Sequence, residues 1–294
     1  MFEGFEVRRI PVSDVTLSVR VGGVGPALIL LHGFPQTGVT WHRIAPTLAK
    51  RYRVVIPDLP GYGESGKPPP DVDHQRYAKR RLAADIVGLA DALGLGTFAV
   101  VGHDRGARVG YRLCLDHPSR VAQFAAIDII PTLDVWDQMD ADKALSSFHW
   151  PFLAAPYPIP ERVIAAAPRV FFGQLLDLWA ADPTALTVAA REAYLAPYDD
   201  PAAIAASCAD YRAGATTDRD HDRADRQAGR KLTCPVRVLW SDGYLGARSD
   251  TILAVWRRWA ENVTEARFAC GHFIQEEAPE ACLAALEPFL AATA

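Results

Sequence analysis

Gly102-His103-Asp104-Arg105-Gly106 decides how this chain is read. The apolar run Phe98 to Val101 leads into it and the helical pattern Ala107 to His117 leads out, so the pentapeptide lies on a strand-turn-helix. Glycines two positions either side of a central residue are the mark of a tight turn that lifts a nucleophile above a sheet, and Asp104 stands where a serine is usual. That exchange alters the chemistry. A serine alkoxide attacks acyl carbons, whereas a carboxylate displaces a leaving group from a saturated carbon and becomes an alkyl ester. The ester must then be hydrolysed at its own carbonyl. Such a site needs a base-activated water, an oxyanion hole and help for the departing group. The plainer reading of Asp104 is a helix N-cap, which aspartate also favours.

Outward from the turn, short unalternating apolar runs recur at Ala27–Leu31, Val54–Ile56, Phe124–Ile127 and Val236–Trp240, as expected of strands buried on both faces of a parallel sheet. Tyr77–Leu93 and Ala107–His117 supply crossover helices, and Glu6–Val21 reads as a leading hairpin. From about Pro131 to Arg230 the pattern changes to proline-broken helical pieces, with Pro151, Pro156, Pro158 and Pro160 close together; strand-helix alternation resumes after Cys234. The expectation is an α/β chain: a mostly parallel central sheet flanked by helices (residues 1–130 and 231–294), with a helical cap (131–230) inserted over the strand ends.

At 294 residues and 50% hydrophobic content the chain can bury one large core, with or without a subdomain. A net charge of -4 leaves no footprint for nucleic acid, and no basic block marks a membrane surface. The expected partner is a small molecule. Cys114, Cys208, Cys234, Cys270 and Cys282 are scattered, odd in number and without CxxC spacing, which argues against a disulfide framework and a zinc site. With no leader-like start and no apolar stretch of membrane length, the chain reads as cytoplasmic.

The partners of Asp104 are sought by role. In this order of elements the base comes last, and His272 of Gly271-His272-Phe273 fits, on a loop before a helix opened by Glu277-Ala278-Pro279. His103 reads as a support for the turn. The carboxylate that orients the base is Asp128 or Asp242, each following a buried run; Asp128 is preferred. Oxyanion donors are expected from the N–H groups of Phe34, in His32-Gly33-Phe34-Pro35, and of Arg105. Arg108 lies one helical turn beyond Asp104. With Arg105 it brings a second positive charge, which suits a substrate carboxylate.

His32-Gly33-Phe34-Pro35, Asp58 to Ser65, His103 to Arg108 and the run through Asp128-Ile129-Ile130-Pro131 together resemble the α/β-hydrolase superfamily, specifically its fluoroacetate (haloacetate) dehalogenases. The resemblance covers nearly the whole chain and implies the α/β-hydrolase fold. It extends to Phe148-His149-Trp150 and Asp210-Tyr211-Arg212-Ala213-Gly214. It implies that His149, the Trp150 indole and the Tyr211 hydroxyl donate to a departing halide, that Trp179 lines the pocket, and that the protein is a homodimer. Without it, these aromatic residues would read as cap packing. The implied activity is hydrolysis of short 2-haloacids to 2-hydroxy acids, with no cofactor or metal. Fluoride is small and strongly hydrated, so three donors suit it better than an apolar slot.

An epoxide hydrolase is the rival, sharing the nucleophile and base but requiring cap tyrosines as acids; Tyr157, Tyr194, Tyr198 and Tyr211 are candidates. A haloalkane dehalogenase would carry tryptophan where Arg105 stands. A silent hydrolase-fold receptor would not need Asp104, His272 and Asp128 together.

Overall fold

A computed structural model describes residues 1–248 and 251–292, with the Arg248 side chain left aside. Among them, eight strands form one sheet: β1 (Phe5–Val12), β2 (Val15–Gly22), β3 (Ala27–Leu31), β4 (Arg53–Pro57), β5 (Phe98–His103), β6 (Val121–Ile127), β7 (Val236–Ser241) and β8 (Val263–Phe268), in the order β1-β2-β4-β3-β5-β6-β7-β8. β1 and β2 are antiparallel, β2 also runs antiparallel to β4, and all later pairings are parallel.

The unalternating runs have a physical reason. On β3, Ile29 and Leu31 join one core cluster while Leu28 and Leu30 join the other. β5 repeats this with Val100 against Ala99 and Val101, and β6 with Phe124 and Ala126 against Ala125 and Ile127. Successive side chains point to opposite faces, and helices cover both, so every position is apolar. β1, at the open edge, is mostly exposed and carries Glu6, Arg8 and Arg9, which discourage further pairing.

The chain steps from β3 outward to β4 and returns to β5 on the other side of β3. That reversal makes a topological switch point, the place where open α/β sheets bind ligands. Asp104 follows β5 there and Phe34 follows β3. All nine helical and 3-10 segments from Thr132–Asp137 to Pro201–Ala215, and Thr217–Gln227 after them, lie between β6 and β7 in the chain.

Candidate active site

The glycines that suggested the turn are required by contact. A Cβ on Gly106 would stand 2.2 Å from the Leu31 carbonyl oxygen, and one on Gly102 would stand 2.6 Å from both N and Cα of Ala107. The helix Arg105–Asp116 therefore packs directly on strand backbone. Gly33 is equally constrained, since its Cβ would lie 2.5 Å from that of Asp104. Asp104 itself takes φ 45° and ψ -115°, an uncommon conformation for a side-chain-bearing residue.

Asp104 occupies the N-cap position without capping: its side chain accepts nothing from the first helical turn. Instead its Oδ1 accepts the Phe34 N–H at 3.0 Å, across the switch point. Oδ2 lies 4.0 Å from Nε2 of His272, wide enough for a small bridging group. Burial alone would raise the Asp104 carboxyl, but His272, Arg105 and Arg108 outweigh it and hold it well below the usual carboxylate range. The N-terminal end of the helix acts in the same sense.

His272 follows β8, and its backbone N–H donates to the Trp179 carbonyl at 2.8 Å. Its Nδ1 meets Asp128 Oδ2 at 2.7 Å. Asp128, at the end of β6, accepts the Ser241 N–H at 2.8 Å and the Ser241 hydroxyl at 3.0–3.1 Å, so both carboxylate oxygens are held. Asp242, the rival acid, is partly exposed and ion-paired to Arg267, away from His272. His103 packs against His272 with ring centres 4.5 Å apart, its Nε2 3.0 Å from the His272 carbonyl oxygen. Burial, aided by His272, pushes His103 down to about 3, so it remains neutral. His32 is likewise a brace, its Nε2 accepting the Leu59 N–H at 2.9 Å.

The two arginines differ. The Arg108 Nη1 donates to the Ile130 carbonyl at 3.0 Å and to Thr132 Oγ1 at 3.2 Å. Arg105 is 1% exposed, yet none of its three guanidinium nitrogens makes a hydrogen bond within the described residues. Its guanidinium lies 3.5 Å from the Tyr211 ring centre and 4.9 Å from that of Trp150. Its Nε lies 3.5 Å from Asp210 Oδ2, an ion pair without a hydrogen bond, so the guanidinium donors are open to a further anion.

His149, Trp150 and Tyr211 come together, with ring centres 5.7–6.5 Å apart. Trp179 stands 4.6 Å from His149 and 5.7 Å from His272, its buried indole N–H without a hydrogen-bond partner among the described residues. Burial drives the Tyr211 phenol far above its ordinary value, so it stays a hydroxyl. Of the other tyrosines weighed as acids, Tyr157 is 76% exposed. Tyr194 donates to Glu276 at 2.9 Å, and Tyr198 stacks on Phe172 at 3.5 Å. Sequence reading passed over Ser241, which fixes Asp128, and Tyr244, whose ring lies 4.0 Å from that of His272. Ser241 ends a recognised strand and was within reach; nothing local distinguishes Tyr244. A cavity of about 70 Å³ opens on Asp104, lined also by Arg108, Ile130, Met139, Trp150 and Tyr244. Among the described residues no His, Cys, Asp and Glu cluster is arranged to hold a metal, and no helix is long and apolar enough to cross a membrane.

The model of the α/β-hydrolase fold family matches residues 26–279. The chain is 43% identical to a fluoroacetate dehalogenase of Burkholderia sp. over 296 aligned positions, covering 99% of this chain and 95% of the relative. It belongs to the haloacetate dehalogenase family of the α/β-hydrolase superfamily. A soluble epoxide hydrolase of Corynebacterium sp. (strain C12) is 30% identical to this α/β hydrolase, covering 88% of the chain and 87% of the relative. The crystal structure of ALR0039, an α/β-hydrolase candidate of Nostoc sp. PCC 7120, superposes with a TM-score of 0.96 at 43% identity over 99% of each chain.

Proposed function

We propose that this α/β hydrolase dehalogenates short 2-haloacids such as fluoroacetate and chloroacetate, releasing halide and a 2-hydroxy acid. The observation that carries the reading is Arg105: buried beside an ionised Asp104, ion-paired to Asp210 at 3.5 Å, and with no guanidinium hydrogen bond among the described residues. A neutral substrate offers the guanidinium donors no charge-assisted hydrogen bond. A substrate carboxylate gives them charge-assisted hydrogen bonds, with Arg108 as the second cation.

In the first step Asp104 Oδ2 attacks the α-carbon, the carbon-halogen bond breaks with its electron pair on the halide, and an ester forms. Oδ1, already on the Phe34 N–H, becomes the ester carbonyl oxygen. His149, Trp150 and Tyr211 donate to the leaving halide. Water then enters the gap beside His272, gives a proton to Nε2 and attacks the Asp104 carbonyl carbon. Charge gathers on Oδ1, stabilised by the N–H groups of Phe34 and Arg105. Collapse expels the hydroxy acid, protonated by His272, and Asp104 loses one proton to solvent. Asp128 holds the His272 tautomer throughout. Residues 131–230 serve as a cap that carries the halide donors.

Epoxide hydrolysis is favoured by the Corynebacterium relative and by Tyr211 beside the nucleophile. Against it, Tyr194 and Tyr198 are engaged elsewhere and Tyr157 faces solvent, so Tyr211 has no second tyrosine acid among the four.

The test is halide release from fluoroacetate and chloroacetate by wild type and Asp104→Asn, with styrene oxide in parallel. Halide lost in the variant supports the reading, whereas diol without halide overturns it. A single turnover in oxygen-18 water checks the two steps: the product should be unlabelled, its oxygen coming from Asp104, with the label left on the protein.

A further inference from the structure

The cap contributes a carboxylate to the site that no step above uses. Asp210, next to Tyr211 on the helix Pro201–Ala215, is 1% exposed. Its Oδ2 accepts the Tyr62 hydroxyl at 2.8 Å and lies 3.5 Å from Arg105 Nε. Its Oδ1 is ion-paired to the Lys79 ammonium, itself 1% exposed and also 3.2 Å from Asp218 Oδ2. Asp218 Oδ1 accepts the Lys79 backbone N–H at 2.7 Å.

Lys79 is oddly placed by the usual rules. It is the first residue of the helix Lys79–Ala92, where the positive end of the helix dipole disfavours a cation, and a buried ion pair is seldom a net source of stability. The charges explain it. An unopposed Asp210 would close on the Arg105 guanidinium as a carboxylate does on any buried arginine. Lys79 takes one of its oxygens and Tyr62 the other, so Asp210 stays 3.5 Å from Arg105 Nε, short of a hydrogen bond, and Nη1 and Nη2 stay open to the substrate. We propose that Lys79 is a positioning residue: it retains Asp210 and thereby reserves Arg105 for the substrate carboxylate. This rests on the dehalogenase reading for the identity of the substrate, though not for the capture of a carboxylate.

The experiment is a double-mutant cycle on the whole protein, with acetate as an unreactive probe in titration calorimetry and chloroacetate and neutral chloroacetamide as substrates. Lys79→Met should weaken acetate about tenfold or more, the scale of a lost hydrogen bond to a charged group, and raise the chloroacetate KM alike while leaving chloroacetamide turnover unchanged. Adding Asp210→Asn should restore acetate affinity, because the competing carboxylate is gone. A purely structural role predicts the reverse, a double variant weaker than either single. Unchanged acetate affinity in Lys79→Met, or no recovery in the double variant, overturns the proposal. Should Lys79→Met not fold, Asp210→Asn alone decides: acetate binding must hold or tighten, and weakening overturns it. If wild type binds acetate but releases no halide, the dehalogenase reading fails and the acetate cycle still decides the role of Lys79.

Discussion

The strand ends and the aromatic helices facing them hold their side chains by different forces. Asp104 is fixed by the Phe34 N–H, Asp128 by Ser241, and His272 by Asp128 and the Trp179 carbonyl, all at 2.7–3.1 Å. His149, Trp150, Trp179 and Tyr211 are joined mainly through ring contacts, with centres 4.6–6.5 Å apart. Hydrogen bonds fix direction as well as distance, whereas apolar packing fixes volume and leaves orientation softer. Under the proposed function, the difference assigns bond making to the rigid half and selection of the leaving group to the half that can be repacked.

The largest expected effect breaks the rigid half outright. Asp104→Asn should abolish halide release with the fold retained, measured by halide electrode and thermal melting; substantial remaining turnover would mean that the nucleophile lies elsewhere. Next, Asp128→Asn should lower kcat by about 10⁴, as expected when the base loses its orienting carboxylate, while the surface-paired Asp242→Asn stays near wild type. In the same half, His272→Asn should leave an ester on Asp104, visible as an intact-mass increase after chloroacetate.

The softer half should respond unevenly. Tyr211→Phe removes a single donor, an effect of about 10²–10³ when the charge is fully developed, and should fall harder on fluoride than on chloride release. Equal losses would show that the cap does not distinguish leaving groups. The smallest effect is expected at the seam, where Tyr194 of the cap donates to the buried Glu276. Burial pushes Glu276 up to about 8 against an ordinary 4.5. The folded state then binds the extra proton between these values, so the stability it contributes is complete below about 4.5 and lost as pH rises toward 8. Glu276→Gln should flatten that slope and raise Tm at pH 8 by about 2–4 °C for each kcal/mol relieved; an unchanged slope in melting curves from pH 5 to 8 would refute this.

Most of the fold was legible because two-sided burial leaves a direct trace. Ala27–Leu31 is β3 residue for residue, and Val236–Trp240 stops one residue short of β7. The edge strand β8 leaves little trace in the sequence, since its sparse burial thins its apolar signal. In the site, Asp104, Phe34, His272 and both aspartate candidates could be found from position within the strand-turn-helix order. Asp128 is preferred over Asp242 on the sequence although both follow buried runs, and it is the tertiary path after β8 that sets His272 against Asp128.

By itself, the sequence determined the order of the elements, Asp104 as the candidate nucleophile and the need for glycine at 102, since these are consequences of local chain geometry and of alternation within each strand. Tertiary structure decided that Gly106 meets the Leu31 carbonyl, which arginine keeps its donors free of hydrogen bonds among the described residues, that Tyr211 joins His149 and Trp150, and that Lys79 meets Asp210 across 131 positions of chain. Contacts between residues so distant are set by how two packed layers meet, and no periodicity along the chain records that meeting.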